Sequence, residues 1–129
     1  MLGHKVEYPE TVATAIRIGN PQSWDGAMAA KNESGGWFDK FSDDEILAAQ
    51  RMLSQYEGIF CEPASATSVA GAMRDLKSGT IPEGSVIVCT LTGMGLKDPD
   101  TAISQCASSA TVTIDAELDE VKRAILDSL

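Results

Sequence analysis

The stretch SVIVCTL at residues 85–91 decides the fold class that the sequence predicts. It is nearly all apolar and does not alternate, which is typical of a strand covered on both faces of a sheet. A shorter apolar run, IFC at residues 59–61, has the same character. A helical pattern precedes each run, and the order helix, strand, helix, strand predicts parallel neighbours in one layer. The predicted fold class is therefore α/β, with a parallel sheet flanked by helices.

One helix is predicted with a clear start and a clear stop. Ser42 and Glu45 stand three residues apart, which is the spacing of a capping box. Apolar side chains then recur at helical spacing and predict one buried face, made of Ile46, Ala49, Leu53 and Tyr56. Gly58 is suited to end this helix, because glycine readily adopts the left-handed conformation found there.

Further helices are predicted before and after this one. Pro63 suits the first turn of a helix, residues 64–78 are mostly small or apolar, and Gly79 is the expected stop. Small side chains allow such a helix to lie very close to a sheet or a ligand. Residues 22–31 are rich in alanine and predict an earlier helix, while residues 115–129 predict an amphipathic one.

Composition and charge limit the classes of function. The chain has 129 residues, with 10 basic and 19 acidic side chains and a formal net charge of −9. This balance argues against binding to nucleic-acid phosphates or to an anionic membrane surface, since both need clustered Lys and Arg. The sequence has no apolar run long enough to span a bilayer, and its first residues lack the apolar core of a signal peptide. A cytoplasmic location is therefore predicted.

The cysteines and the histidine give little support to metal or nucleophilic chemistry. Cys61, Cys89 and Cys106 are widely spaced and odd in number, which does not predict a disulfide framework. No CxxC pair occurs and His4 is the only histidine, so no metal site is expected. Cys61 and Cys89 lie in apolar runs and are interpreted as core residues.

Two loops are expected to form a ligand site. In an open α/β sheet, ligands bind at the carboxyl ends of the strands, which is where residues 61–66 and 90–95 lie. Together these loops offer a carboxylate, several hydroxyls, and glycines that let a ligand approach the backbone. The alternative interpretation is structural: Gly93 and Gly95 only shape a turn, and Glu62 is a solvated carboxylate at a helix start.

Several stretches in register carry a resemblance to a known family. They are PETVATAIRIGNP at 9–21, ESGG at 33–36, GIFCEPASA at 58–66 and CTLTGMGLKDPDTAI at 89–103. In order and spacing they resemble threonine synthase, a pyridoxal-phosphate enzyme of the tryptophan-synthase-β-like group. The resemblance covers about residues 5–103 and is to the C-terminal third of that family.

The resemblance implies an organisation and an activity. Residues 1–129 correspond to the C-terminal portion of a two-domain enzyme of fold type II, with residues 104–129 as its tail. Threonine synthases are lyases that convert O-phospho-L-homoserine and water into L-threonine and phosphate, the last step of threonine biosynthesis. Their cofactor is pyridoxal 5'-phosphate, which serves as the electron sink. The full-length protein is expected to be a homodimer.

The resemblance also implies what this chain lacks. The lysine that forms the Schiff base lies upstream in the family, in a Ser-Phe-Lys-Asp-type segment, and no such segment occurs here. The glycine-rich loop that holds the cofactor phosphate is absent as well, and Lys97 aligns elsewhere in the family pattern. The chain is therefore expected to be a fragment that is inactive alone and carries no catalytic residue.

Three cofactor-binding residues are carried over from the family motifs. Thr92 matches the threonine whose hydroxyl meets the pyridine nitrogen of the cofactor, where a hydroxyl can donate a hydrogen bond without pairing a charge. Ala15 matches the small residue that packs on one face of the pyridine ring. Glu62 is expected at the cofactor edge. Met94 stands where most bacterial relatives have histidine, so the resemblance implies the backbone turn at this position but no side-chain role.

Two other functions stay open at this point. One is a related pyridoxal-phosphate enzyme, a serine or threonine dehydratase, although RIGNP at 17–21 and TGMGLKDP at 92–99 favour threonine synthase. The other is a non-catalytic α/β module that binds a small ligand or a partner, which the missing lysine favours. A sheet cut from its domain exposes apolar edges, so self-association of the chain is also expected.

Overall fold

Helices dominate the part of the chain that the structure describes. The structure is a computed structural model, and it describes residues 4–106 and 113–126. The helices are α1 (Trp24–Ser34), α2 (Asp43–Glu57), α3 (Pro63–Ser78), α4 (Pro99–Cys106) and α5 (Leu118–Leu126), and short 3₁₀ turns occur at Thr14–Ile16 and Gly95–Lys97. Within these described ranges, no helix is long and apolar enough to cross a membrane.

Helix α2 begins and ends where the sequence predicts. The Ser42 hydroxyl accepts a hydrogen bond from Glu45 N at 3.3 Å, and the Glu45 carboxylate accepts one from Ser42 N at 2.7 Å. This capping box satisfies amides that the first helical turn leaves unpaired. Gly58 ends the helix with φ of +67°. The buried side chains of α2 are Ile46, Ala49, Gln50 and Leu53, whereas Tyr56, which was predicted on that face, is 71% exposed.

Helix α3 packs against α2, and the core lies between them. Pro63 occupies the first turn of α3, and Gly79 ends the helix with φ of +76°. The buried apolar residues are Ala13, Ile46, Ala49, Leu53, Cys61, Ala66 and Ala70. Most of these side chains are short, which allows a close approach of the two helices. Gln50 Nε2 donates to the backbone oxygen of Cys61 at 2.7 Å, so α2 also holds the segment that leads into α3.

The described residues contain no β-strand, so the predicted parallel sheet is not confirmed. The backbone pairing that they do show is an isolated bridge between Cys61 and Met94, and it is antiparallel. Residues 85–91 form neither helix nor strand, and Val86 and Val88 are 95% and 87% exposed. A strand is held by hydrogen bonds to a neighbouring strand. No segment that the structure describes supplies that neighbour to residues 85–91.

The two outer helices match their predictions in part. Helix α1 covers most of the predicted residues 22–31 and runs on to Ser34, where Gly35 ends it with φ of +69°. Helix α5 lies inside the predicted residues 115–129, of which the last three fall outside the described residues. Leu118, on the apolar face of α5, is 67% exposed.

Candidate functional site at the start of α3

The two predicted loops meet at the amino-terminal end of α3. Glu62 N donates to the backbone oxygen of Gly93 at 3.0 Å, and Gly95 N donates to the backbone oxygen of Phe60 at 3.0 Å. These two bonds frame the antiparallel bridge and hold the second loop against the helix start. The sequence prediction that the loops lie together is therefore confirmed, although the sheet that suggested it is not present among the described residues.

The turn that carries Ala15 joins the same place. Thr14 Oγ1 donates to Asp98 Oδ1 at 2.5 Å, across 84 positions of sequence. Asp98 is 6% exposed, and its Oδ2 atom has no hydrogen-bond partner among the described residues. Ala15 itself is exposed. The Thr14 bond thus ties the Ala15 turn to the residue that follows the turn Gly95–Lys97.

Glu62 carries a carboxylate and yet is only 2% exposed. Ser65 Oγ lies 3.3 Å from Glu62 Oε1, within hydrogen-bond distance. Lys97 Nζ lies 3.4 Å from Oε2, which has no hydrogen-bond partner in the described part of the chain. Burying a carboxylate is unfavourable unless it is paired, so the Lys97 ammonium group offsets part of that cost. The interpretation of Glu62 as a solvated carboxylate is therefore wrong.

Gly93 and Gly95 are needed for close packing and not for a special backbone conformation. Neither has a positive φ. A Cβ atom on Gly93 would lie 2.2 Å from Glu62 Oε1, and one on Gly95 would lie 2.3 Å from the ring of Phe60. Real Cβ atoms essentially never lie this close to another atom, so a side chain at either position would force its neighbour to move. The loop can lie against Glu62 and Phe60 only because these two positions lack a side chain.

Thr92 and Ser65 form a pair of hydroxyls, one at the surface and one beneath it. Thr92 is exposed, whereas Ser65 is 3% exposed on the first turn of α3. Their Oγ atoms lie 3.1 Å apart. Gly93 N donates to Ser65 Oγ at 2.9 Å, which fixes the buried hydroxyl relative to the loop. The site can therefore present the Thr92 hydroxyl to a ligand from a supported position.

Sequence reasoning included Ser65 in the predicted loop at residues 61–66 without giving it a role, and it missed Thr14, Asp98 and Lys97 as members of this site. Ser65 stands three residues after Glu62, and this spacing places both on one side of a first helical turn. That spacing is a usable signal. Thr14, Asp98 and Lys97 have no comparable signal, because their contacts join segments that only packing brings together.

The three cysteines differ in burial: Cys61 is buried, Cys89 is partly buried and Cys106 is exposed. Cys61 is buried, and this burial raises the pKa of its thiol, which lowers its reactivity as a nucleophile. Cys89 Sγ donates to the backbone oxygen of Ser68 at 3.6 Å. Cys106 is exposed at the end of α4. Among the residues described, no group of three or more His, Cys, Asp or Glu side chains is arranged to hold a metal ion.

Known proteins of similar sequence point to one family. A family model described as pyridoxal-phosphate dependent enzyme matches residues 2–93. The threonine synthase of Mycobacterium leprae is 50% identical over 116 residues, which are 90% of this chain and 32% of that protein. That of Halalkalibacterium halodurans is 52% identical over 120 residues, which are 91% of this chain and 34% of that protein. That of Synechocystis is 48% identical over 123 residues, which are 95% of this chain and 32% of that protein.

The chain spans about a third of the length of these curated relatives and matches their C-terminal portion. The resemblance to threonine synthase is therefore confirmed by homology over most of the chain. The matched residues 2–93 include Ala15, Glu62 and Thr92. This chain belongs to the pyridoxal-phosphate dependent enzyme family.

Proposed function

We propose that this chain forms the side of a cofactor cleft that faces the pyridine nitrogen of pyridoxal 5'-phosphate in a threonine synthase. The whole protein then converts O-phospho-L-homoserine and water into L-threonine and phosphate. The observation that carries the proposal is the exposed Thr92 hydroxyl, supported from below by Ser65 at 3.1 Å. This hydroxyl lies in a chain that is about half identical to threonine synthases over nine-tenths of its length.

The residues present fit such a cofactor. Thr92 places a neutral hydrogen-bond donor at the surface, and Gly93 beside it adds no side chain. Ala15 is exposed in a turn that is tied to the same site, and its methyl group leaves room for a flat ring. Beneath the loop, the buried residue Glu62 holds the backbone next to Thr92, since its amide donates to the backbone oxygen of Gly93, and the exposed Lys97 pairs with its carboxylate.

Each residue has a defined task in this proposal. The cofactor, when bound, is the electron sink that allows protons to move at the α and β carbons of the substrate. Thr92 holds the ring nitrogen by a hydrogen bond without a charge, which favours an unprotonated ring and a milder sink than a carboxylate partner gives. Ala15 packs on one face of the ring. Glu62 lies at the edge of the ring. Its backbone amide also supports the Thr92 loop by donating to the backbone oxygen of Gly93.

The proposal extends to the setting of the whole protein. We assign residues 85–91 to a strand of a parallel sheet in an enzyme of fold type II, with its neighbouring strands contributed by other parts of that protein. The exposed side chains of Val86 and Val88 support this assignment, since a strand covered on both faces is apolar throughout. The whole protein is proposed to be a cytoplasmic homodimer.

Segment exchange tests the proposal. The C-terminal segment of the Halalkalibacterium halodurans threonine synthase that matches this chain is replaced by this chain, and threonine and phosphate formed from O-phospho-L-homoserine are measured. We expect the chimaera to be active, and Thr92→Val to lower its kcat/KM about tenfold, the effect of one lost hydrogen bond. Thr90→Val makes the same change two positions away and is expected to keep the activity of the chimaera.

Two results would overturn the proposal. The first is a folded chimaera that binds the cofactor and forms 2-oxo acids from serine or threonine, but makes no threonine from O-phospho-L-homoserine. Such an enzyme is a dehydratase and not a threonine synthase. Borohydride reduction of this chain alone with pyridoxal phosphate, followed by peptide mapping, is expected to give little or scattered labelling. Stoichiometric labelling of Lys97 would instead show that the chain builds a cofactor site of its own.

A further inference from the structure

Ser65 lies beneath the Thr92 loop and is within reach of more polar atoms than one hydroxyl can serve. Its Oγ accepts from Gly93 N at 2.9 Å. The same oxygen lies 3.1 Å from Thr92 Oγ1, 3.3 Å from Glu62 Oε1 and 3.5 Å from the backbone oxygen of Gly93. A serine hydroxyl has one hydrogen to donate and two lone pairs. The hydrogen of Ser65 therefore goes to one of three competing oxygen atoms.

The choice of acceptor decides what Thr92 offers to a ligand. If Ser65 donates to Thr92 Oγ1, the hydrogen of Thr92 is left to point outward as a donor. If Ser65 donates to Glu62 instead, its free lone pair takes the hydrogen of Thr92, and Thr92 then offers only lone pairs. The buried serine is in this way coupled to the hydrogen-bonding character of an exposed residue.

We propose that Ser65 is a positioning residue, which donates its hydrogen to Thr92 and so turns the Thr92 hydroxyl into a donor toward the ring nitrogen of the cofactor. This proposal rests on the proposed function. Thr92 Oγ1 is the nearest of the three competing acceptors. A hydroxyl that itself donates becomes a better acceptor, so binding of the ring nitrogen strengthens the bond from Ser65 to Thr92.

The charge on Glu62 opposes this arrangement, and Lys97 counters it. An ionised carboxylate is normally the stronger acceptor. Here Lys97 Nζ lies 3.4 Å from Oε2 and draws charge away from the oxygen that faces Ser65. The contact from Ser65 Oγ to Thr92 Oγ1, at 3.1 Å, is also shorter than the 3.3 Å contact to Oε1. The structure thus favours Thr92 as the acceptor.

A double-mutant cycle in the chimaeric enzyme tests the proposal, with cofactor binding as one readout. We expect Ser65→Ala and Thr92→Val each to weaken pyridoxal-phosphate binding about three- to tenfold. Because Ser65 acts through Thr92, the double variant should bind no more weakly than Thr92→Val. If the double variant instead weakens cofactor binding by the product of the two single-variant factors, the proposal is overturned. If Thr92→Val leaves binding unchanged, the proposed function fails, whatever Ser65 does.

A spectroscopic readout tests the direction of the hydrogen bonds. The ¹⁵N chemical shift of cofactor labelled at the ring nitrogen is expected to be that of a hydrogen-bonded, unprotonated pyridine in the parent. Ser65→Ala should move it in the same direction as Thr92→Val, and Ser65→Thr, which keeps the hydroxyl, should restore it. A pyridinium value in the parent would contradict donation from Thr92 and overturn the proposal.

The full chain without cofactor supplies the structural control. In its amide spectrum, Ser65→Ala should shift the Gly93 amide proton upfield, because that group loses its acceptor. Ser68→Ala removes a hydroxyl one helical turn away, which donates to the backbone oxygen of Ser65 at 2.9 Å. It should leave both the Gly93 signal and the ring ¹⁵N shift in place. If Ser68→Ala changes the Gly93 signal and the ring ¹⁵N shift as much as Ser65→Ala does, Ser65 acts only through helix packing and the proposal is overturned.

Discussion

A Cβ atom added to Gly93 would lie 2.2 Å from Glu62 Oε1, so any larger residue must displace either the loop or a buried carboxylate. We expect Gly93→Ala to lower the free energy of unfolding by about 1–3 kcal/mol, the usual cost of overpacking a close contact. Urea denaturation of the full chain, followed by circular dichroism, measures the change.

The matched control for this variant is Gly26→Ala. Gly26 lies in α1, and a Cβ atom there would meet nothing within 4 Å. Alanine has the higher helix propensity, so this variant should gain up to about 1 kcal/mol. Equal urea midpoints for the two variants would contradict the packing argument at Gly93.

The hydrogen bond from Thr14 to Asp98 gives a second prediction for a single residue. Thr14→Val removes the donor and leaves both oxygens of a carboxyl group that is 6% exposed without a hydrogen-bond partner among the described residues. We expect a loss of about 1–3 kcal/mol in unfolding free energy. Thr80→Val removes an exposed hydroxyl that contacts Ser78 Oγ, and should cost less than about 0.5 kcal/mol. A Thr14→Val protein as stable as the parent would refute this role of the bond.

Among the helices, α2 has a pH dependence at its first turn. The pKa of Glu45 is lowered from its ordinary value of 4.5, first by the hydrogen bond from the Ser42 amide and then by that from the Ser42 hydroxyl. A carboxyl group with a lowered pKa stabilises the folded state above its unfolded pKa. That contribution is lost as the pH falls through the folded pKa.

Glu45→Gln tests this dependence, because glutamine accepts the same hydrogen bonds but does not titrate. As the pH falls below about 4.5, the urea midpoint of the parent should decrease more steeply than that of Glu45→Gln. Above that pH the two slopes should agree. Parallel curves throughout the acid range would show that the capping box carries no titrating contribution.

The ends of α2 and α3 could be predicted from the sequence because their causes are local. Ser42, Gly58, Pro63 and Gly79 each act on residues within one helical turn. The stretch at residues 85–91 is different, since its apolar pattern predicts a strand covered on both faces, and no described segment supplies that cover. The apolar character of residues 85–91 is plain from the sequence, but the sheet that it predicts is not confirmed by the described residues.

For the candidate site, the sequence predicted which loops lie together but not the side-chain contacts between them. The loops that contain Glu62 and Thr92 were expected to meet, and their hydrogen bonds confirm it. The cofactor contacts of Thr92, Ala15 and Glu62 stay predictions. The burial of Glu62 and its pairing with Lys97 had no signal in the sequence, because the partner of a buried charge is chosen by packing.

At the scale of the whole molecule, the exposed segment at residues 85–91 predicts self-association of the chain. Val86 and Val88 are 95% and 87% exposed, and unpaired apolar segments are templates for pairing between chains. We expect Val86→Lys combined with Val88→Lys to lower the weight-average mass seen by sedimentation velocity. The same pair should reduce the yield of folded chimaera, where the segment is proposed to be covered.

The matched control adds two lysines to the same segment without removing an apolar side chain. Ser85→Lys combined with Thr90→Lys changes the net charge by the same amount, and both positions are exposed. It should lower self-association less than the valine pair does. If the two pairs act equally, charge repulsion explains the result and the apolar segment is not the cause.

The loop at residues 93–95 also bears on how this site can vary over evolution. Met94 joins the bridge to Cys61 through its backbone, and its side chain is 57% exposed. Gly93 and Gly95 on either side admit no side chain at all. The middle position can therefore accept different side chains without disturbing the loop. Lineages are expected to differ at this one position while its two neighbours stay glycine.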